Sequence, residues 1–254
     1  MNLMRWMCCA VLLAAMSSAV RAQDGAMPGT ADAGDGSDWL VGAGAGYMLL
    51  SSSGTITVGD GRVGNCCSFT AGDGGGFLVG IRLGRALSDE ISVIGAVSFA
   101  QWSTTQERRT SYLILTGDDM ITDATFEQTL ETSLGLAVID LVGVYHVGWG
   151  GIYAGAGPSL ALPLAQSHRL DERIIDPPGA VFMSGGREHV LFDDDRSLAQ
   201  SGLRALLVAG TLLPVGDLLV NLQAQYVLPL TSMGNGMTWT FSGVAVEAGL
   251  LFRL

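Results

Sequence analysis

The final stretch, Val244 to Leu254 (VAVEAGLLFRL), constrains this chain more than any other segment. Every second position, Val244, Val246, Ala248, Leu250, Phe252 and Leu254, is apolar, and the interleaved set is Ala245, Glu247, Gly249, Leu251 and Arg253. A helix would scatter such positions around its surface, whereas period two gathers them on one face of a strand. The opposite face carries a carboxylate and a guanidinium among small residues, where a water-soluble core wants hydrocarbon. Such a strand fits between lipid on one side and a polar lumen on the other.

The same alternation recurs upstream, in stretches of about the ten residues that a tilted membrane strand requires. Trp39, Val41, Ala43, Ala45, Tyr47 and Leu49 make the outward row of the first, with Gly42, Gly44 and Gly46 inward. Later rows run through Phe77–Leu83, Ile91–Phe99, Ile139–Tyr145, Ile152–Leu160, Leu203–Ala209 and Val220–Tyr226, giving eight strands with the last. The fourth reads as long and bulged. Connections alternate in length: 87–90, 147–150 and 214–217 are short, and the others are long. Short turns on one side and long loops on the other mark a barrel whose two ends share a side. The fold expected is all-β, an eight-stranded antiparallel up-and-down transmembrane β-barrel with long extracellular loops. The second long loop, Thr110 to Glu131, reads as a protruding hairpin whose Tyr112, Ile114, Ile121 and Phe126 either are covered by the third loop, Pro163 to Gln200, or form an edge or patch for a partner.

Composition agrees. Thirty-six glycines and 15% charged residues are poor material for a soluble helical protein. The best helix-length apolar candidate, Leu203 to Leu222, is broken by Arg204, Pro214, Gly216 and Asp217. Residues 1–22 read as a signal peptide: Arg5, an apolar run from Met7 to Ala15, and Val20–Arg21–Ala22 before Gln23. A lipoprotein signal at Cys8 or Cys9 is the rival, but those cysteines come too early. Residues 23–37 read as a disordered leader and 38–254 as the barrel, which places the mature protein in a bacterial outer membrane. Loss of two arginines with the signal takes the formal charge from −11 to about −13, which speaks against nucleic acid as a partner.

Certain features together resemble a known group: Gly155 to Leu160 (GAGPSL), Ile139–Asp140–Leu141 followed by Tyr145–His146, the Cys66–Cys67 pair, and the closing GLLFRL. From Asp38 to Leu254 the chain resembles the small outer-membrane β-barrel proteins of the PorT-like and OmpA-type barrel domains. The resemblance implies a fold and an insertion route through the barrel insertion machinery, and it implies no activity. Such barrels end on an aromatic residue; here Phe252 stands two short of the end and Leu254 is last, a variant C-terminal insertion signal. No peptidoglycan-binding domain follows the barrel, so an anchoring role to the cell wall is not implied.

Arg82, Asp140, Arg204 and Glu247 fall on lumen faces. An eight-stranded barrel has room inside only for side chains, so these charges are expected to pair as an ion-pair network that plugs the lumen. The alternative is a narrow ion path. Cys66 and Cys67 form a loop cysteine pair, read as a strained disulfide, as two separate thiols, or as a metal or redox site. No metal site or cofactor is expected, and the acidic residues Asp171, Glu172, Asp176 and Asp193 to Asp195 read as a solvated loop. Arg108, Arg109, Arg169, Arg173, Arg187 and Arg196 either contact lipopolysaccharide phosphates or are solvated. His146 points inward, and His168 and His189 fall in the third long loop. No Ser, His and acid converge, so no catalytic residue is assigned. The function expected is non-enzymatic: a barrel anchoring extracellular loops that bind a partner, a ligand or lipopolysaccharide. The alternatives are a narrow channel or transport accessory, and a lipid-modifying enzyme.

Overall fold

The computed structural model describes residues 39–58, 67–115, 121–147, 151–182, 184–194 and 198–254. The signal, the leader, Cys66, the turn at 148–150, Asp195 and Arg196 lie outside them, as does the side chain of Cys67. The strands are β1 (Trp39–Val58), β2 (Cys67–Ala86), β3 (Ile91–Leu115), β4 (Ile121–His146) and β5 (Ile152–Asp176). After them come β6 (Glu188–Asp194), β7 (Gly202–Val215), β8 (Leu218–Pro229) and β9 (Thr238–Arg253).

Every pairing is antiparallel. β1 to β5 pair in succession, β5 then pairs β7, β7 pairs β8, β8 pairs β9, and β9 returns to β1. Eight strands therefore close a ring with no membrane-level edge, which satisfies every backbone group in lipid. The ninth strand, β6, is an addition to the outer part of β5, from His168↔Asp194 to Arg173↔Glu188. It lies in what the sequence presented as a plain third loop, because seven residues without a lipid-facing run give no membrane-strand signal.

Inward and outward rows alternate as period two requires. Ile81 is 66% exposed while Arg82 beside it is 8%. Tyr47, Phe77, Phe99 and Tyr226 stand outward at one level and Trp39, Tyr145 and Phe252 at the other, the aromatic girdles of a lipid belt. Arg85 lies 5.3 Å over the Trp39 ring at the lower girdle. β7 and β8 are joined by the two residues Gly216 and Asp217, with Gly216 at φ +62°; Pro214 and Val215, expected in the turn, belong to β7.

The extra residues expected on the fourth strand sit on the fifth. Gly135 pairs Ala165 while Leu136 pairs Pro163, so Leu164 bulges from β5, and Ile175 does so higher up. Pro163 supplies the reason, since it lacks the N–H that the ladder would use. The strands also overrun the membrane unequally: β3, β4 and β5 have 25, 26 and 25 residues against 14, 12 and 16 for β7, β8 and β9. About ten residues span the bilayer. The part of β4 above Glu131, at ~3.3 Å per residue and ~40° tilt, rises roughly 25 Å beyond the belt as a ribbon of β3, β4, β5 and β6.

Candidate functional site

The lumen is built in layers. Near the lower end, Ser92 Oγ and His146 Nε2 are 2.8 Å apart, and the Tyr153 hydroxyl donates to Asn221 Oδ1 at 2.6 Å with Gln223 Oε1 at 2.8 Å. Above them lies the charged layer. Arg82 forms an ion pair with Glu247, which also accepts from the side-chain amides of Gln225 and, at 3.3 Å, Gln223. Arg82 is on β2 and Glu247 on β9, with β1 between them. They meet because β1 presents only glycine there: a Cβ on Gly44 would come 3.5 Å from Arg82 Cζ, and Glu247 lies across Gly46. The glycine row of the first strand is thus the floor on which the pair rests.

The other two charges come together through register. Asp140 on β4 faces Ser159 on β5, and Ser159 faces Arg204 on β7, so the three occupy one cross-strand row. Arg204 Nη2 donates to Ser159 Oγ at 2.6 Å, and Ser159 is hydrogen-bonded to Asp140. Arg82 joins the same row from the other side, through Ala96. Two positive and two negative side chains therefore share one level. Ser159 is the member that sequence reasoning missed; it lay in the GAGPSL stretch, but its partners are distant in the chain.

Over this layer sits an aromatic and aliphatic lid. Trp102, Trp239 and Phe241 are each at most 1% exposed, with Trp102–Phe241 and Trp239–Phe241 centroids at 5.8 and 4.6 Å. Met48, Leu50, Leu134 and Leu136 complete it, and the Arg204 guanidinium lies 5.3 Å over Trp102. Two small cavities, of about 30 and 20 Å³, border the charged layer. Higher still, His168 is fully buried on β5, with Thr132 Oγ1 at 3.1 Å and Gln166 Oε1 at 3.3 Å. It is a strand residue within the barrel, where sequence placed it in a loop.

Outside the barrel, the ribbon's inward face is a second small core. Phe126 is buried, stacks on Tyr112 at 4.0 Å, and meets Phe182 at 6.1 Å. The third loop covers part of this set: Ala180 and Phe182 pack, with Ile114, on the cluster of Ala124, Phe126 and Ile174, while Tyr112 and Ile121 stay exposed. Glu172 beneath accepts from Tyr112 and Gln128, both at 2.8 Å.

The ribbon's outer face holds Arg109, Arg169 and Arg173, and pairing register arranges them as a ladder. Arg109, Glu127, Arg173 and Glu188 lie on one row, and Glu131, Arg169 and Asp193 on another. Arg109 and Glu127 are 3.0 Å apart, Arg169 and Asp171 2.9 Å, and Arg173 and Glu188 3.8 Å. The Asp171 carboxylate raises Arg169 above its ordinary pKa, with Asp193 and Glu131 acting the same way. Arg108 donates to the Ser68 carbonyl, and Arg187 to those of Pro178, Ile174 and Ile175. The described loop arginines are thus internal fasteners rather than unengaged cations.

The Ser92–His146 contact has Ser92 buried and no carboxylate among the described partners of His146. Among the described residues, no group of three or more His, Cys, Asp or Glu side chains is placed to hold a metal ion. At the C-terminus, Phe252 pairs with Val41 and faces outward, and the Leu254 amide donates to the Trp39 carbonyl at 3.0 Å.

A closed antiparallel ring with an apolar belt and a packed polar lumen defines a small transmembrane β-barrel protein. No protein-family model matches the sequence, and no curated protein does. Among solved structures, the chain is similar to Ail, the attachment invasion locus protein of Yersinia pestis, at 12% identity and TM-score 0.36, covering 85% of this chain and 99% of that one. It is similar to the outer-membrane protein AlkL at 12% identity and TM-score 0.39, covering 91% and 98%. The outer-membrane protease OmpT of Escherichia coli gives 10% identity and TM-score 0.33, covering 89% and 99%. Likeness at this level says nothing of activity, ligand or partner.

Proposed function

We propose that this chain is a non-enzymatic surface protein of a bacterial outer membrane, in which the barrel is an anchor and the β3–β6 ribbon binds a partner, a ligand or lipopolysaccharide. The observation that carries the reading is the contrast between the two halves. The lumen is filled with side chains, sealed by Trp102, Trp239 and Phe241. The ribbon spends three long strands and one added strand on a rigid, charged face above the lipid. A chain that needed only to span the membrane would not extend three strands past it. Insertion through the barrel machinery, guided by Phe252 and Leu254, and kinship with OmpA-type or PorT-like barrels belong to the same proposal.

Shortening the ribbon tests it. Thr105 and Glu131 are paired partners, so joining them through Asn-Gly removes the hairpin at a register position suited to a tight turn. The shortened protein is expected to keep its heat-dependent shift on SDS gels but lose cross-links to surface partners on intact cells and binding to lipopolysaccharide. Unchanged cross-linking and binding would sink the ribbon reading. Steady conductance of the intact protein in planar bilayers would favour the channel, and release of acyl chains from lipid A the enzyme.

A further inference from the structure

The charged layer contains more polar atoms than its own side chains satisfy. Arg204 is 2% exposed, yet only Nη2 is met, and Nε and Nη1 face no protein acceptor. Arg82 Nη1, Asp140 Oδ1 and the Trp102 indole N–H are also buried without a protein partner. Native proteins leave few such groups unmet, and clusters of them mark places where something else completes the hydrogen bonds. All five atoms belong to residues that border the two cavities. Arg82, Asp140 and Glu247 line the larger, and Trp102, Asp140, Arg204 and Glu247 the smaller. Asp140 and Glu247 are common to both.

Volume and charge decide the guest. At roughly 10–15 Å³ per ordered molecule, cavities of about 30 and 20 Å³ hold about two and one waters, each wanting two to four polar partners. Two arginines are already balanced by two carboxylates, so the layer offers no net charge to draw an ion out of its hydration shell. Four unmet donor nitrogens accompany one unmet acceptor, Asp140 Oδ1. Water can accept from the former and donate to the latter.

We propose that the charged layer is a binding site for about three ordered waters, which join the Arg82–Glu247 pair to the Asp140–Ser159–Arg204 row as one network. The plug is then wet at its centre. Its ion pairs are fixed through water that the side chains hold in place, so the layer is one cooperative unit rather than two independent pairs.

Water-edited NMR of the isotopically labelled protein in lipid nanodiscs tests this. Magnetisation is expected to pass from water to the Trp102 indole proton and the Arg204 Hε, and not to the Leu136 methyls in the lid. Trp102→Phe keeps an aromatic ring against Arg204 and assigns the indole signal, and the heat shift on gels verifies folding. Absence of transfer at both Trp102 and Arg204 means a dry layer and overturns the proposal. Movement of the Arg204 signal when chloride is exchanged for bromide means a halide site, and overturns it equally.

Discussion

Removing one member of the Arg82–Glu247 pair should cost far more than removing both. Glu247 is 3% exposed and is the acceptor for Arg82, Gln223 and Gln225. Glu247→Met leaves the Arg82 guanidinium buried against Gly44 without the carboxylate it pairs with. Breaking a buried pair in this way costs about 3–5 kcal/mol, whereas replacing both partners with apolar side chains of similar volume is roughly neutral or stabilising. The double variant Arg82→Met/Glu247→Met should therefore recover at least about 2 kcal/mol relative to Glu247→Met. Urea unfolding from lipid vesicles, followed by tryptophan emission, reads this directly, because Trp102 and Trp239 stand just above the layer. Additive losses, with the double variant as unstable as the sum of the singles, would show that the two charges do not depend on each other. The account of a self-neutralised plug would then fail.

Position in the belt should grade the cost of a charge on the lipid face. Ile81→Arg, midway between Phe77 and Arg85, should cost about 2–4 kcal/mol, while Val246→Arg, paired with Tyr47 at the upper girdle, should cost less. Gln223→Arg faces Glu247 in the lumen and should be milder than Ile81→Arg; equal losses in urea titrations would overturn the face assignment. Phe126→Ala removes the centre of the ribbon core and should speed hydrogen exchange in 110–115, 121–126, 174–182 and 184–187 while the barrel strands stay protected; uniform protection would show that the ribbon does not depend on that core. Arg109→Ala, at a 71% exposed side chain, should change stability by less than about 1 kcal/mol; a larger loss would mean that the ladder is cooperative.

The wall was legible because lipid imposes its demand one residue at a time. Each outward position needs hydrocarbon whatever its neighbours are, so Val244 to Leu254 or Phe77 to Leu83 reveals its faces without any partner. Strand pairing carries no such local mark. β6, only seven residues long, has no belt to advertise it and was hidden within a loop. The bulge was assigned to the wrong strand for a related reason: an extra residue spoils the count on both members of a pair, and only the Gly135↔Ala165 and Leu136↔Pro163 partners show which chain carries it.

The same distinction governs the sites. That Arg82, Asp140, Arg204 and Glu247 face inward follows from period two; which of them meet follows from register and from how the ring closes. Arg82 reaches Glu247 across an intervening strand because that strand is glycine at Gly44 and Gly46, and Asp140 finds Arg204 through Ser159. On the ribbon, register turns Arg109, Arg169 and Arg173, which composition presents as unengaged cations, into rungs opposite or beside a carboxylate. Surface pairs of this kind are individually weak, but they repeat across four strands at a height where no lipid covers them. A face held in register by its own charges has fewer to offer a phosphate. Recognition there has to draw on what the ladder leaves exposed, and at the tip that includes the side chains of Leu113 and Ile121.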